Sequence, residues 1–185
     1  MIGGRTIPDT KKGSRYTFDS FVVNDANRTA FEKAKHFTEN ADSMPLAIFG
    51  GTATGKTHLL YAVKNAIERN SPELSVILTT TADMVSTLTN IIRNGSTAEQ
   101  FREKYMKADV LLVDDIQELA GKEKTQEELI LLFNAFYESR KRFMMTSSQK
   151  ETHNGLNDRL FSRAFWGDFA EITVAYINAG NNKIS

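Results

Sequence analysis

The chain contains no cysteine, which excludes disulfides and thiolate metal sites. It has no net charge, with 23 Lys plus Arg against 23 Asp plus Glu. That balance excludes a globally basic nucleic-acid binder, though not a local basic patch. No run of about eighteen apolar residues occurs, so no segment reads as a membrane-spanning helix. The N-terminus lacks the apolar core of a secretory signal. Repeats and low-complexity tracts are absent from the sequence. The expectation is a cytoplasmic protein with no membrane partner. What remains is 185 residues, 41% of them hydrophobic. That is enough for one domain with a real core and too short for two of ordinary size.

Against that background one segment is highly specific. Gly50-Gly51-Thr52-Ala53-Thr54-Gly55-Lys56-Thr57 reads G-x-x-x-x-G-K-[ST]. It follows a short apolar run, Leu46-Ala47-Ile48-Phe49, and leads into the helix-like stretch His58-Leu59-Leu60-Tyr61-Ala62-Val63. A strand before and a helix after are the context this phosphate-binding loop requires. The glycines permit backbone conformations that a Cβ would obstruct. Successive amides from Gly51 to His58 can then turn inward on phosphate oxygens, helped by the positive end of the following helix. Lys56 can reach the β- and γ-phosphates, and the Thr57 hydroxyl is placed to ligate Mg²⁺. The ligand class is a nucleoside triphosphate with magnesium.

A second segment supplies acids. Val110-Leu111-Leu112-Val113 is an apolar run of the kind buried on both faces of a sheet, and it ends in Asp114-Asp115. Carboxylates at the C-terminal tip of such a strand lie where α/β sheets bind ligands. Asp114 is the expected Mg²⁺ holder, through water. Asp115 is expected to orient or polarise the attacking water.

The remaining periodicities alternate between strand and helix. Strands are expected at 46–49, 75–80, 110–113, 142–147 and 170–174. Helices are expected at 26–39 (capped by Asn24 or Asp25), 57–69, 82–94, 97–106 and 125–140. This alternation predicts an α/β protein, a three-layer αβα P-loop NTPase core around a five-stranded parallel sheet. Residues 1–15 are polar and read as a flexible arm, 16–175 as the ATP-binding domain and 176–185 as a tail.

The two chemistry-bearing segments also carry a resemblance. Gly50 to Leu60, and the long run Ala108-Asp109-Val110-Leu111-Leu112-Val113-Asp114-Asp115-Ile116-Gln117-Glu118-Leu119-Ala120-Gly121-Lys122-Glu123-Lys124-Thr125-Gln126-Glu127-Glu128, resemble the AAA+ domain of DnaA-like bacterial replication initiators. So do Tyr16-Thr17-Phe18, Phe21-Val22-Val23, Asn27-Arg28, Asp158-Arg159-Leu160-Phe161-Ser162-Arg163 and Trp166-Gly167. The resemblance implies that Val22, Val23 and Asn27 pack around the adenine. It implies that Arg163 is an arginine finger acting in trans, and that Arg159 is a second arginine between ATP-bound subunits. It places an initiator-type helical insertion at 82–106. Val85, Lys122 and Lys124 then fall along a single-stranded DNA channel; taken alone, Lys122-Glu123-Lys124 is an ordinary solvated loop. The implied partners are further copies of the chain, assembled head to tail with ATP, then DNA, mainly single-stranded, and a replicative helicase or its loader.

The pattern is broken in three places. Ser148-Gln149 follows the 142–147 strand where the family has a sensor aspartate, so weak ATP hydrolysis is expected. Glu118 stands where an aromatic is usual, which bears on local packing or a partner surface. After Val174 the sequence lacks the family's helical lid and helix-turn-helix. Besides the initiator reading, a helicase loader or initiator-regulating homologue and a degenerate nucleotide-binding scaffold fit the same residues.

Overall fold

A computed structural model of the chain describes residues 13–42, 44–148 and 155–173. The expected tail at 176–185, most of the arm, Gln149 and Val174 lie outside the described residues. Five strands form one parallel sheet: β1 (Leu46–Gly50), β2 (Val76–Thr80), β3 (Val110–Asp114), β4 (Arg142–Ser147) and β5 (Asp168–Ile172), in the order β2-β3-β4-β1-β5. The three central strands are buried along their whole length, as continuous apolar runs demand. Strand β5, at one edge, alternates between buried and exposed positions.

Side chains of successive strand residues leave opposite faces, and this divides the core in two. Leu46, Ile48, Val110, Leu112 and Met144 face helices α1 (Arg28–Glu39) and α2 (Lys56–Asn70). Ala47, Phe49, Leu111, Val113, Phe143 and Met145 face α3 (Thr81–Arg93), α4 (Ala98–Met106), α5 (Glu123–Glu138) and α6 (Asp158–Trp166). Helix α5 turns Leu129, Leu132, Phe133 and Phe136 inward, all essentially inaccessible to solvent, as its spacing predicts. Each such side chain contributes about 1.5–3 kcal/mol through burial.

Several boundaries differ from the sequence expectation, each for a local reason. Helix α1 begins at Arg28, not Ala26, and neither Asn24 nor Asp25 caps it. The side chain of Asn27 turns back instead, accepting the Asn24 amide at 2.8 Å and donating to Val22 O at 2.9 Å. Helix α5 starts at Glu123 and stops at Glu138, because Arg140 takes a left-handed conformation with φ 54°. Strand β5 opens at Asp168, whose amide donates to Pro45 O at 2.8 Å and so joins the sheet early. A 3₁₀ turn at Ile116–Leu119 and the helix α6 were not expected. Glu118, exposed on that turn, keeps its carboxylate in water.

Candidate functional site

The loop from Gly50 to Gly55 leaves the C-terminal end of β1, and α2 begins directly after it. Gly55 has φ +99°, and a Cβ there would sit 2.9 Å from the ring of Phe21. The backbone of this loop and the 18–23 segment are therefore pressed together, and only glycine fits. His58 strengthens the junction. Its ring contacts those of Tyr16 and Phe21, and its Nε2 lies 3.0 Å from Thr17 O. Tyr16 joins Thr54 to His58 in lining a cleft of about 230 Å³ over the loop.

Lys56 is buried, and its ammonium donates to the carbonyls of Gly50 (2.7 Å) and Gly51 (2.8 Å). Burial pulls its pKa below the ordinary 10.5, while the charges of Asp115 and Asp114 oppose the shift. Next to it the Thr57 hydroxyl donates to Asp114 Oδ2 at 2.7 Å. The other oxygen of Asp114 accepts the hydroxyl of Thr146. Thr146, fully buried on β4, also accepts the Asp115 amide at 3.0 Å. Strand β4 pairs with β3, so this one hydroxyl ties β4 to both the Asp114 carboxylate and the Asp115 backbone.

Asp115 is held from three sides. Its backbone is left-handed, φ 59°, which turns it away from the strand it follows. Its carbonyl accepts the hydroxyl of buried Thr81 at the start of α3, at 2.8 Å. Its carboxylate accepts Gln117 Nε2 at 3.0 Å, and Gln117 Oε1 accepts the Ser148 amide at 2.9 Å. Sequence reasoning missed Thr146, Thr81 and Gln117. Only Thr146 carried a signal, a polar residue inside the buried run of β4.

The structure thus gathers residues 51–58, Asp114 and Asp115 at one end of the sheet. Val22 (exposed), Val23 (half-buried) and Asn27 (buried) lie in the segment that continues from Phe21 beside the loop. A hydroxyl and a carboxylate oxygen side by side form the hard donor set that suits Mg²⁺ held jointly with phosphates. Thr57 and Asp114 fit that ion.

Two groups of expected residues stand apart from the loop. Val85, Lys122 and Lys124 line a single cleft of about 520 Å³ between α3 and the start of α5, with both lysines exposed. Arg159 and Arg163 lie on α6, which packs on α5, β1 and β5. Arg159 is exposed, and Arg163 Nε is buried with no acceptor among the described residues.

A phosphate-type loop on one inner strand, answered by acids one strand beyond its neighbour, is the organisation of a P-loop NTPase of the AAA+ class. The model of the bacterial DnaA ATPase domain family matches residues 13–171, and the chain belongs to that family. It is 42% identical over 166 residues to the chromosomal replication initiator protein DnaA of Geobacter metallireducens, covering 88% of this chain and 37% of that protein. It therefore spans little more than a third of that relative's length. The structure of AMPPCP-bound DnaA from Aquifex aeolicus superposes with a TM-score of 0.79 at 36% identity, over 85% of this chain and 50% of that one. A replication initiator DnaA bound to AMPPCP and single-stranded DNA gives a TM-score of 0.79 at 37% identity, over 85% of this chain and 50% of that one. Among the described residues, no helix is long and apolar enough to cross a membrane.

Proposed function

We propose that this domain binds ATP with Mg²⁺ at the loop of residues 50–57, assembles head to tail in the ATP-bound form, and engages single-stranded DNA. The observation that carries the reading is the contact of Thr57 with Asp114 at 2.7 Å beside the buried Lys56. Lys56 and the loop amides bind the phosphates. Thr57 and Asp114 hold the ion, which neutralises phosphate charge when bound. Val22, Val23 and Asn27 flank the adenine. Asp115, fixed by Thr81, Thr146 and Gln117, orients the water. Arg163, whose buried Nε has no acceptor among the described residues, is the arginine directed at a neighbouring copy's γ-phosphate, and Arg159 serves the same interface. An arginine finger accelerates hydrolysis about 10³–10⁵-fold in NTPases generally.

Ser148 offers only its amide to Gln117, with no carboxylate at that place. This favours a switch that binds nucleotide better than it turns it over, so ATP hydrolysis to ADP and phosphate is weak. Lys122, just before α5, and Lys124, in its first turn, lie beside Val85 and supply phosphate contacts for DNA. The AMPPCP- and DNA-bound relatives support the nucleotide and single-stranded DNA parts of the reading. Light scattering with ATP and with ADP tests it: ATP should raise the particle size and ADP should not. An unchanged size with ATP defeats the assembly step, and failure of mant-ATP to bind defeats the whole reading.

A further inference from the structure

Gln126 is a polar side chain only 1% exposed, and both N–H groups and the oxygen of its amide are hydrogen-bonded. Its Nε2 donates to Leu119 O at 2.8 Å and to Gly155 O at 2.9 Å, and its Oε1 accepts the Asn157 amide at 2.5 Å. The first partner begins the loop that carries Lys122 and leads into the first turn of α5, where Lys124 lies. The other two lie on the strap that leads into α6. Asn157 then caps α6 by accepting the Arg159 amide at 2.8 Å, and Gly121 N donates to Gly155 O at 3.1 Å. Gly155 stands at φ +89°, and a Cβ there would press on Gly121 N at 3.1 Å. The loop and the strap are thus in backbone contact, and a single buried amide sets their spacing.

We infer that Gln126 is a positioning residue that fixes helix α6, and so the presentation of Arg159 and Arg163, to the 119–122 loop and the first turn of α5, which carry Lys122 and Lys124. This rests on the reading above of α6 as the assembly helix and of the loop as the DNA contact. A buried amide with all its partners is costly to disturb, because each group left unpaired keeps its desolvation penalty. The two surfaces therefore move as one body. Strand engagement at Lys122 and Lys124 and arginine presentation to a neighbouring copy are energetically linked, and the linkage runs in both directions.

The test uses the full 185-residue chain and the near-isosteric Gln126→Glu, with Gln126→Leu and Arg163→Ala beside it. Three readouts are compared: mant-ATP affinity, the protein concentration at half-maximal ATP-dependent assembly, and amide hydrogen exchange with and without oligo-dT. In Gln126→Glu, mant-ATP affinity should stay within about twofold of wild type, while half-assembly should need on the order of tenfold more protein. Exchange over 155–166 should quicken on the order of tenfold while the sheet stays protected, and oligo-dT should no longer slow it. Arg163→Ala should match the assembly loss with wild-type exchange. Wild-type exchange over 155–166 in both Gln126 variants overturns the inference. So does wild-type assembly despite faster exchange, or an undiminished response of 155–166 to oligo-dT. A wild-type chain that binds mant-ATP yet never assembles refutes the assembly reading, and the exchange results then decide the role of Gln126 alone.

Discussion

The Thr57 hydroxyl donates to Asp114 Oδ2 at 2.7 Å, joining the first turn of α2 to the tip of β3. Thr57→Val keeps the shape and removes the hydroxyl. The Mg²⁺-dependent gain in mant-ATP affinity should fall on the order of tenfold, because one of two protein oxygens is gone. Affinity measured in EDTA should not change. A Mg²⁺ dependence equal to that of wild type would sink the assignment of the ion site.

Thr146→Val tests the hydroxyl shared by the two acids. The substitution takes the Thr146 donor from Asp114 Oδ1, leaving Thr57 on Oδ2, and leaves the Asp115 amide without its Thr146 acceptor, at a site where Thr146 is fully buried. Urea unfolding should show a loss of about 1–3 kcal/mol. A variant as stable as the parent would mean that the hydroxyl is dispensable.

Gly55→Ala combines a left-handed backbone with a Cβ 2.9 Å from Phe21. Stability should drop by more than the roughly 1 kcal/mol at stake in a strain-free exchange of glycine and alanine. Nucleotide affinity should fall with it, since the loop must shift. A melting temperature equal to that of wild type would contradict the close packing described here.

Asp109 provides a pH test. Its Oδ2 accepts the Ser75 amide at 2.9 Å and the Ser75 hydroxyl at 2.7 Å, and these bonds hold its pKa below the ordinary 3.8. A carboxyl depressed in the folded state binds its proton less readily there than in the unfolded chain. Its contribution is therefore complete above the unfolded value and lost as pH falls through the folded one. Asp109→Asn should flatten the decline in urea midpoint below about pH 4 and leave the neutral-pH slope unchanged. An identical acid limb in the two proteins would refute the linkage.

Lys122→Ala with Lys124→Ala should weaken oligo-dT binding and reduce the salt slope. Two lost phosphate contacts lower the slope of log K against log salt by about 1.4. Fluorescence anisotropy across a salt series measures it, and a parallel line would remove the start of α5 from the DNA contact.

Much of the fold was legible because the central strands carry their burial in plain view. Val110–Val113 can only be a strand covered on both sides, and the turn-rich Gly50–Gly55 can only be a special loop after the strand that begins at Leu46. The acids at 114 and 115 followed from position. The bonds that hold those acids did not. Thr81, Gln117 and Thr146 come from three separate elements, and nothing in their spacing announces that they converge on Asp115. The same holds for Gln126, which in sequence is one polar residue among the exposed charges opening α5. Helix ends were misplaced where a side chain competes with the cap, as Asn27 does, or where a single residue such as Arg140 turns left-handed.

The division of the core by the sheet bears on how such a domain can diverge. Residues on the α1–α2 side shape the loop at 50–57, whereas the α3–α6 side carries the lysines and arginines proposed above to meet DNA and a neighbouring copy. Mutational drift on one side need not retune the other, provided the tips of β3 and β4 are kept. Lineages could thus exchange partner preferences while inheriting one ancestral pocket, and Thr81, Thr146, Asp114 and Asp115 would be the narrow seam that resists change.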